Sequence, residues 1–331
     1  MSEIVLGIGA SHSTLMNTHW AEVDHLPAAH SFRDGLGAAR EALAAARPDA
    51  VVVIGSNHFR GMFLDLMPAF TVGVGEVHGA GEAGTPGGPL PADTDLARVV
   101  VDGLVGDGFD PAFSLRLTVD HGITHSLQHL LPALDVPVVP VVVNMFAPPL
   151  PSLRRCHALG AAIGAAIRGD GQDGKRVAVI ASGGLSHRLP WPKWFAALSD
   201  DDRFLVEAWL NGRDSWTTYE VRRRQIIRAA RPDINEEFDR WFLQLLENGD
   251  LTPLLDHTDA DLEKAAGNGA QELRSWIAMT AALTTPDGLP PTGRTLAYGA
   301  VPDWLTGMGV SLLTPHTQAP HTHSKDQETA R

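Results

Sequence analysis

The chain reads as an α/β protein built on a single doubly wound, mostly parallel sheet, with flanking helices and a helical C-terminal extension. Three observations predict this. Apolar runs rich in Val and Ile, such as VVVIG and PVVPVVV, lack the polar alternation of a half-solvated strand and suit strands covered on both faces. Alanine-rich runs of helical length separate them, and helical crossovers are what join parallel strands. Histidines recur just past the strand ends, where open α/β sheets place their ligand crevices.

Taken in order, residues 4–9 read as a strand, 31–46 (SFRDGLGAAREALAAA) as a helix and 50–55 as a strand. Residues 73–92 (GVGEVHGAGEAGTPGGPLPA) are rich in Gly and Pro, which interrupt both helix and strand, and read as a mobile surface loop, with a lid over the crevice as the other reading. Their glycine spacing superficially resembles a dinucleotide fingerprint, but no helix opens from it. Strands follow at 113–119, 137–143 and 177–181, with a helix at 152–168. From about 200 to 285 the pattern is helical, including EEFDRWFLQLLENG and AQELRSWIAMTAAL, and no linker sets it apart. Residues 1–313 are therefore expected to form one catalytic domain. The polar stretch 314–331, with His316, His321 and His323, is expected to be a disordered tail.

Composition narrows the partners. With 331 residues, 44% of them hydrophobic and 20% charged, the chain can bury a sizeable core, and no apolar run reaches the roughly 18 residues of a membrane span. The N-terminus shows no secretory signal, so a cytoplasmic location is expected. A net charge of −13 argues against nucleic acid or an anionic membrane as the main partner. Cys156 is the sole cysteine and forms no internal disulfide. Arg222, Arg223, Arg224, Arg228 and Arg231 mix with Ile226 and Ile227 at helical spacing, the usual pattern of a solvated helix face.

Four histidines lie just beyond strand-like runs: His12 in IVLGIGASHST, His58 in VVVIGSNHF, His121 in LRLTVDHGITH and His187 in VAVIASGGLSH. Gathered in one crevice, imidazoles point to metal binding or to proton transfer near neutral pH. Two imidazoles and one carboxylate on one face of a metal leave positions open for substrate and dioxygen, as in non-haem Fe(II) oxygenases. Glu272 is the best candidate for the carboxylate, because at helical spacing it shares an apolar stripe with Leu273, Trp276, Ile277 and Met279. A carboxylate there asks for a partner, which is either a metal or a cation such as Arg274.

The stretches GASHSTL, SNHFRGMFLDLMPAFTVGVG, TVDHGITHSLQHLL, PVVPVVVNMFAPPLP, ASGGLSHRLP, INEEFDRWFLQLLENG, GNGAQELRSWIA and AVPDWLTGMG resemble the class III extradiol ring-cleavage dioxygenases. The likeness is nearest to the 2,3-dihydroxyphenylpropionate 1,2-dioxygenase type and runs in order from about residue 4 to 310. It implies Fe(II) held by His12 (SH motif), His58 (NHF motif) and Glu272 (QELRSW motif). It implies an acid/base pair in His121 (DHG motif) and His187 (GGLSH motif); within that pair we assign His121 as base and His187 as acid, an order the resemblance leaves open. It also implies a catecholic substrate, dioxygen as co-substrate and a homo-oligomer. His125 and His129 lie four apart on a helix, where they resemble a zinc pair, but the family motif stops short of them, so they read as helix-surface or pocket-wall residues. Arg60 directly follows the ligand motif and is a candidate for binding an anionic substituent. Trp20, with His19 and His25, is a candidate pocket liner or part of a simple surface loop. Three competing readings are an aminophenol-cleaving dioxygenase, a zinc hydrolase on the same three ligands, and a binding protein that has lost the chemistry.

Overall fold

The computed structural model describes residues 2–170, 174–196 and 198–316. Nine strands form one sheet: β1 (Glu3–Ala10), β2 (Ala50–Gly55), β3 (Phe70–Ala80), β4 (Gly87–Leu90), β5 (Ala112–Val119), β6 (Val138–Val143), β7 (Arg176–Ser182), β8 (Thr292–Val301) and β9 (Thr306–Thr314). Their order is β4-β3-β6-β2-β7-β1-β9-β8, with β5 paired to β3. The central four, β6-β2-β7-β1, are all parallel, and antiparallel neighbours flank them: β3 beside β6 and β9 beside β1.

The helices are α1 (Thr14–Thr18), α2 (Pro27–Ala46), α3 (Thr94–Gly106), α4 (His121–Leu130), α5 (Leu153–Gly169), α6 (Asp200–Asn211), α7 (Trp216–Arg228), α8 (Glu236–Asn248), α9 (Thr252–Leu255), α10 (Asp259–Ala266) and α11 (Leu273–Leu283). Successive residues of a strand point to opposite faces, and the core divides accordingly. Val52, Ile54, Val177 and Val179 pack with α3, α5, α8 and α11 on one face. Val51, Val53, Ala178 and Ile180 pack with α2 and α4 on the other. Burial on both sides explains why these strands read as unbroken apolar runs. None of the helices among the described residues is long and apolar enough to cross a membrane.

The predicted strands are present to within one residue at each end, and the helix expected at 31–46 starts earlier, at Pro27, which occupies its first turn. Two expectations are corrected. Residues 73–80 are the second part of β3, and 87–90 form β4, so most of the expected loop is sheet. The glycines here serve close backbone approach: a Cβ on Gly75 would stand 2.4 Å from the Leu115 carbonyl oxygen, and one on Gly79 would stand 2.1 Å from that of Pro86. The helical region is also not terminal, because β8 and β9 follow it and return the chain to the sheet beside β1. Neither strand carries a β-branched run, and pairing with β1 and with each other is what makes them strands. The expected helix over 267–284 is a 3-10 turn, Asn268–Glu272, that leads into α11. Of the expected tail, Thr314 closes β9, while His321, His323 and everything else from residue 317 onward lie outside the described residues.

Candidate active site

Strands β2, β7 and β1 are neighbours in the sheet and run the same way, so the segments that leave their C-terminal ends sit side by side. With roughly 4.8 Å between adjacent strands, the ends of β1 and β2 are about 10 Å apart, a gap that two side chains close. His12 leaves β1, His58 leaves β2 and His187 leaves β7. His121 arrives differently, as the first residue of α4. Its neighbour Asp120 caps that helix through Gly122 N (3.0 Å) and also accepts from the backbone N–H of His58 (2.5 Å). One buried carboxylate thus ties the α4 start to the His58 loop.

Glu272 closes the group from above, at the junction of the 3-10 turn and α11. His12 Nε2 stands 3.2 Å and His58 Nε2 3.5 Å from its Oε1, and His187 Nε2 stands 4.0 Å from Oε2. Ser56 Oγ donates to Oε1 (2.5 Å) and the N–H of Gly184 to Oε2 (2.6 Å). Burial would raise the Glu272 pKa, but His12, His58 and His187 outweigh it and hold the carboxyl at about 2. The alternative partner, Arg274, points away: its Nε donates to the Pro151 carbonyl (2.8 Å) and its head group pairs with Asp259.

These residues fit a metal ion. His12 Nδ1 is 2.9 Å from Ser182 Oγ, and His58 Nδ1 faces Asp120 Oδ1 at 3.5 Å. When Nδ1–H is donated to such a partner, Nε2 carries the lone pair, which is how outer contacts set up a histidine as a ligand. His12 Nε2 is buried and has no hydrogen-bond partner of acceptable geometry, although a carboxylate oxygen lies 3.2 Å away. A lone pair aimed at a carboxylate calls for a cation between them. His121 is close as well, with a ring nitrogen within 4.8 Å of those of His12 and His58.

His121 and His187 flank this centre. The His121 ring lies 3.8 Å from that of His58, centroid to centroid. Burial, reinforced by the neighbouring His58, pushes its pKa well below the usual histidine value. Glu82, from the short turn between β3 and β4, accepts both the backbone N–H of His121 (2.7 Å) and a contact from its Nδ1 (2.8 Å). Burial and nearby Asp120 raise the Glu82 pKa to about 7. His187 is also held toward neutrality by burial, against the pull of Glu272, and its Nδ1 lies 2.8 Å from the Leu185 carbonyl oxygen. The turn before it is pinned by Asp239 of α8, which accepts from Ser186 N (2.8 Å), Ser186 Oγ (2.7 Å) and Tyr298 OH (2.8 Å). Gly269 lies against the His187 ring: a Cβ there would fall 2.1 Å from Nε2.

The cleft in front of these groups is lined by Leu15, Leu189, Trp191, Arg223, Ile227 and Trp304. Three expected contacts are placed elsewhere. Arg60 is packed over the Trp216 ring at 3.3 Å and paired with Glu220 (3.2 Å). Trp20 is stacked between His129 and Trp304. His125 is buried behind His12, 6.0 Å away between ring centroids, and so is not a helix-surface residue. None of the three lines the cleft. Glu82 and Asp239 were not legible as site residues, since the first is one of two acids in a Gly-rich stretch and the other sits on an amphipathic helix. Arg223 reads as part of a solvated face but is buried, and its i,i+4 partner Ile227, also buried, was the available signal.

An α/β protein whose strand ends gather two imidazoles, a carboxylate and two further histidines over an aromatic-walled cleft belongs to the metal-dependent oxygenase type of site. The chain matches the family model for the catalytic LigB subunit of aromatic ring-opening dioxygenase over residues 6–300, and it belongs to that family. It is 36% identical over 283 residues to a 2,3-dihydroxyphenylpropionate/2,3-dihydroxicinnamic acid 1,2-dioxygenase of Burkholderia vietnamiensis, covering 82% of this chain and 86% of the relative. Relatives of the same name from Paraburkholderia xenovorans (37% identical; 84% and 88% covered) and a Rhodococcus species (34%; 91% and 95%) are similar over comparable lengths. The protein is an extradiol dioxygenase that opens catechol rings.

Proposed function

We propose that His12, His58 and Glu272 hold Fe(II), that His121 and His187 are the proton-transfer groups, and that the substrate is a catechol bearing an acidic side chain, as in the names of the relatives. The observation that carries this reading is the convergence of His12 Nε2 and His58 Nε2 on one oxygen of Glu272, at 3.2 and 3.5 Å, with each Nδ1 facing an outer partner. When bound, the metal would supply the electron-transfer chemistry toward dioxygen and lower the pKa of the catechol hydroxyls.

The chain's own groups do the rest. Glu82 takes the Nδ1–H of His121, so the Nε2 lone pair of His121 faces the cleft as a base for a catechol hydroxyl. A neutral His187 whose Nδ1 is directed at the Leu185 carbonyl would need a second proton on Nε2 to act as acid; Glu272 draws it toward that charged form, and burial opposes it more strongly. Trp191, which lines the cleft 5.4 Å from the His58 ring, gives the substrate ring an apolar wall, and Phe146 packs against Trp191 at 4.3 Å.

The test is anaerobic reconstitution with Fe(II), followed by admission of oxygen with a panel of catechols and aminophenols. Oxygen uptake and the absorbance of the ring-fission product are followed. His58→Ala is expected to lose both iron and turnover. His187→Ala is expected to keep iron and lose roughly 10²- to 10⁴-fold in rate, the span of general acid–base catalysis. No turnover across the panel with iron demonstrably bound would overturn the proposal.

A further inference from the structure

Arg223 lies in the wall between two cavities. One is the histidine cleft. The other, beside it, is lined by Thr18, Glu82, Glu220, Arg224 and Arg228, and both share Thr14, Leu15, Arg223 and Ile227. The Arg223 side chain is 8% exposed, an unusual burial for a guanidinium. Among the described residues its recorded hydrogen bond is from Nε to Glu220 Oε2 (3.4 Å). The forked terminal nitrogens, the part of arginine that grips carboxylates in pairs, are left for another acceptor.

Glu220 does not neutralise its surroundings. It accepts from Trp216 Nε1 (2.7 Å), Arg60 (3.2 Å) and Arg224 (2.5 Å) as well as from Arg223, so three guanidinium groups share one carboxylate; Glu82 is the other acid lining the second cavity, and Arg228 is a fourth cation there. In a protein with a formal charge of −13, this is a local excess of positive charge at the edge of the reaction cleft. Arg60 cannot swing into the cleft without leaving the Trp216 face and Glu220. Arg223 already lines it.

We infer that Arg223 on α7 is the specificity-determining residue that binds the anionic side chain of the catechol, with the ring at the histidines and the side chain directed along Arg223 toward the second cavity. This rests on the ring-cleavage reading above. Arg60 and Glu220 then act as positioning residues, holding the α7 guanidinium against the cleft.

The experiment compares kcat/KM of the Fe(II) enzyme on 2,3-dihydroxyphenylpropionate and on the neutral 3-propylcatechol. In Arg223→Met the acid-to-neutral ratio should fall roughly 10- to 100-fold, mainly through KM, as expected for loss of a charged hydrogen bond. Arg223→Glu should shift preference toward 3-(2-aminoethyl)catechol. Calorimetry adds a readout that needs neither metal nor turnover: 3-phenylpropionate should bind metal-free wild type, and binding should weaken at least tenfold in Arg223→Met. If that variant does not fold, Arg223→Lys carries the test, because a point charge replaces the fork and the ratio should still drop several-fold. An unchanged ratio, or a proportional fall on both substrates, would overturn the assignment. Wild type inactive on every catechol yet binding phenylpropionate through Arg223 would instead count against the ring-cleavage reading.

Discussion

The parallel strands β1, β2 and β7 and the helical segment between β7 and β8 contribute to the same site by different means. The strands deliver His12, His58 and His187 within a few residues of their ends, and the sheet's own hydrogen bonding fixes the spacing. The helical segment delivers Glu272, Gly269, Asp239 and Arg223 from scattered places, and each acts by packing against something the strands supply. Glu272 faces two imidazoles, Gly269 leaves room for a ring, Asp239 pins a turn, and Arg223 borders the cleft. The difference suggests a division of labour. Strand ends set which atoms are present, and the packed helices set their orientation and what may approach them.

The comparison can be broken most sharply at Gly269. If the helical segment orients His187, then Gly269→Ala, whose new Cβ would fall 2.1 Å from the ring, should cut kcat about 10²-fold or more while iron binding at the proposed His12, His58 and Glu272 site persists. Metal analysis beside steady-state rates decides it. Loss of iron in step with rate would mean that the two regions are not separable in this way.

A smaller effect is expected at Glu82, which belongs to neither region. Its carboxyl, raised by burial and Asp120 to about 7, is ionised above that pH and then takes the Nδ1–H of His121. As pH falls through 7 the acid becomes protonated and offers a proton instead, which reverses the tautomer and removes the base. Activity should therefore decline about tenfold per unit below pH 7, and Glu82→Gln, which accepts at every pH, should flatten that limb. An identical acid limb in the variant would exclude Glu82 as its source.

The smallest change is expected at Asp239. Asn in its place cannot accept all three donors from Ser186 and Tyr298, so the fold should lose about 1–3 kcal/mol. Burial raises the native carboxyl's pKa from 3.8 to about 6, so the penalty on the folded state grows as pH rises from about 4 to 6 and is constant above that, and the stability gap between the proteins should narrow from pH 4 to pH 7. Denaturant unfolding at the two pH values measures this. A gap that widens instead would mean the three donors outweigh burial.

How much was legible depended on how local each signal was. His12, His58, His121 and His187 stood out because a strand's end is visible in a short window, and Glu272 because a carboxylate on an apolar stripe is costly wherever it lies. Gly75 and Gly79 misled: the same residue marks a loop or a strand where another backbone comes within contact distance, and only the second backbone tells which. Arg60 drew attention by adjacency to His58. Adjacent residues in an irregular segment need not face the same way, and its side chain lies over Trp216.

By itself the sequence determined the parallel β-strands, the histidines at their ends and, through ordered motifs, the ring-opening family, because each is written in consecutive residues whose chemistry is short-ranged. Only the tertiary structure decided that β8 and β9 complete the sheet, that Glu82 contacts His121 and Asp239 pins the turn before His187, and that Arg223 rather than Arg60 borders the cleft. Those choices depend on which distant surfaces share a buried, low-dielectric contact, and no window along the chain contains both partners.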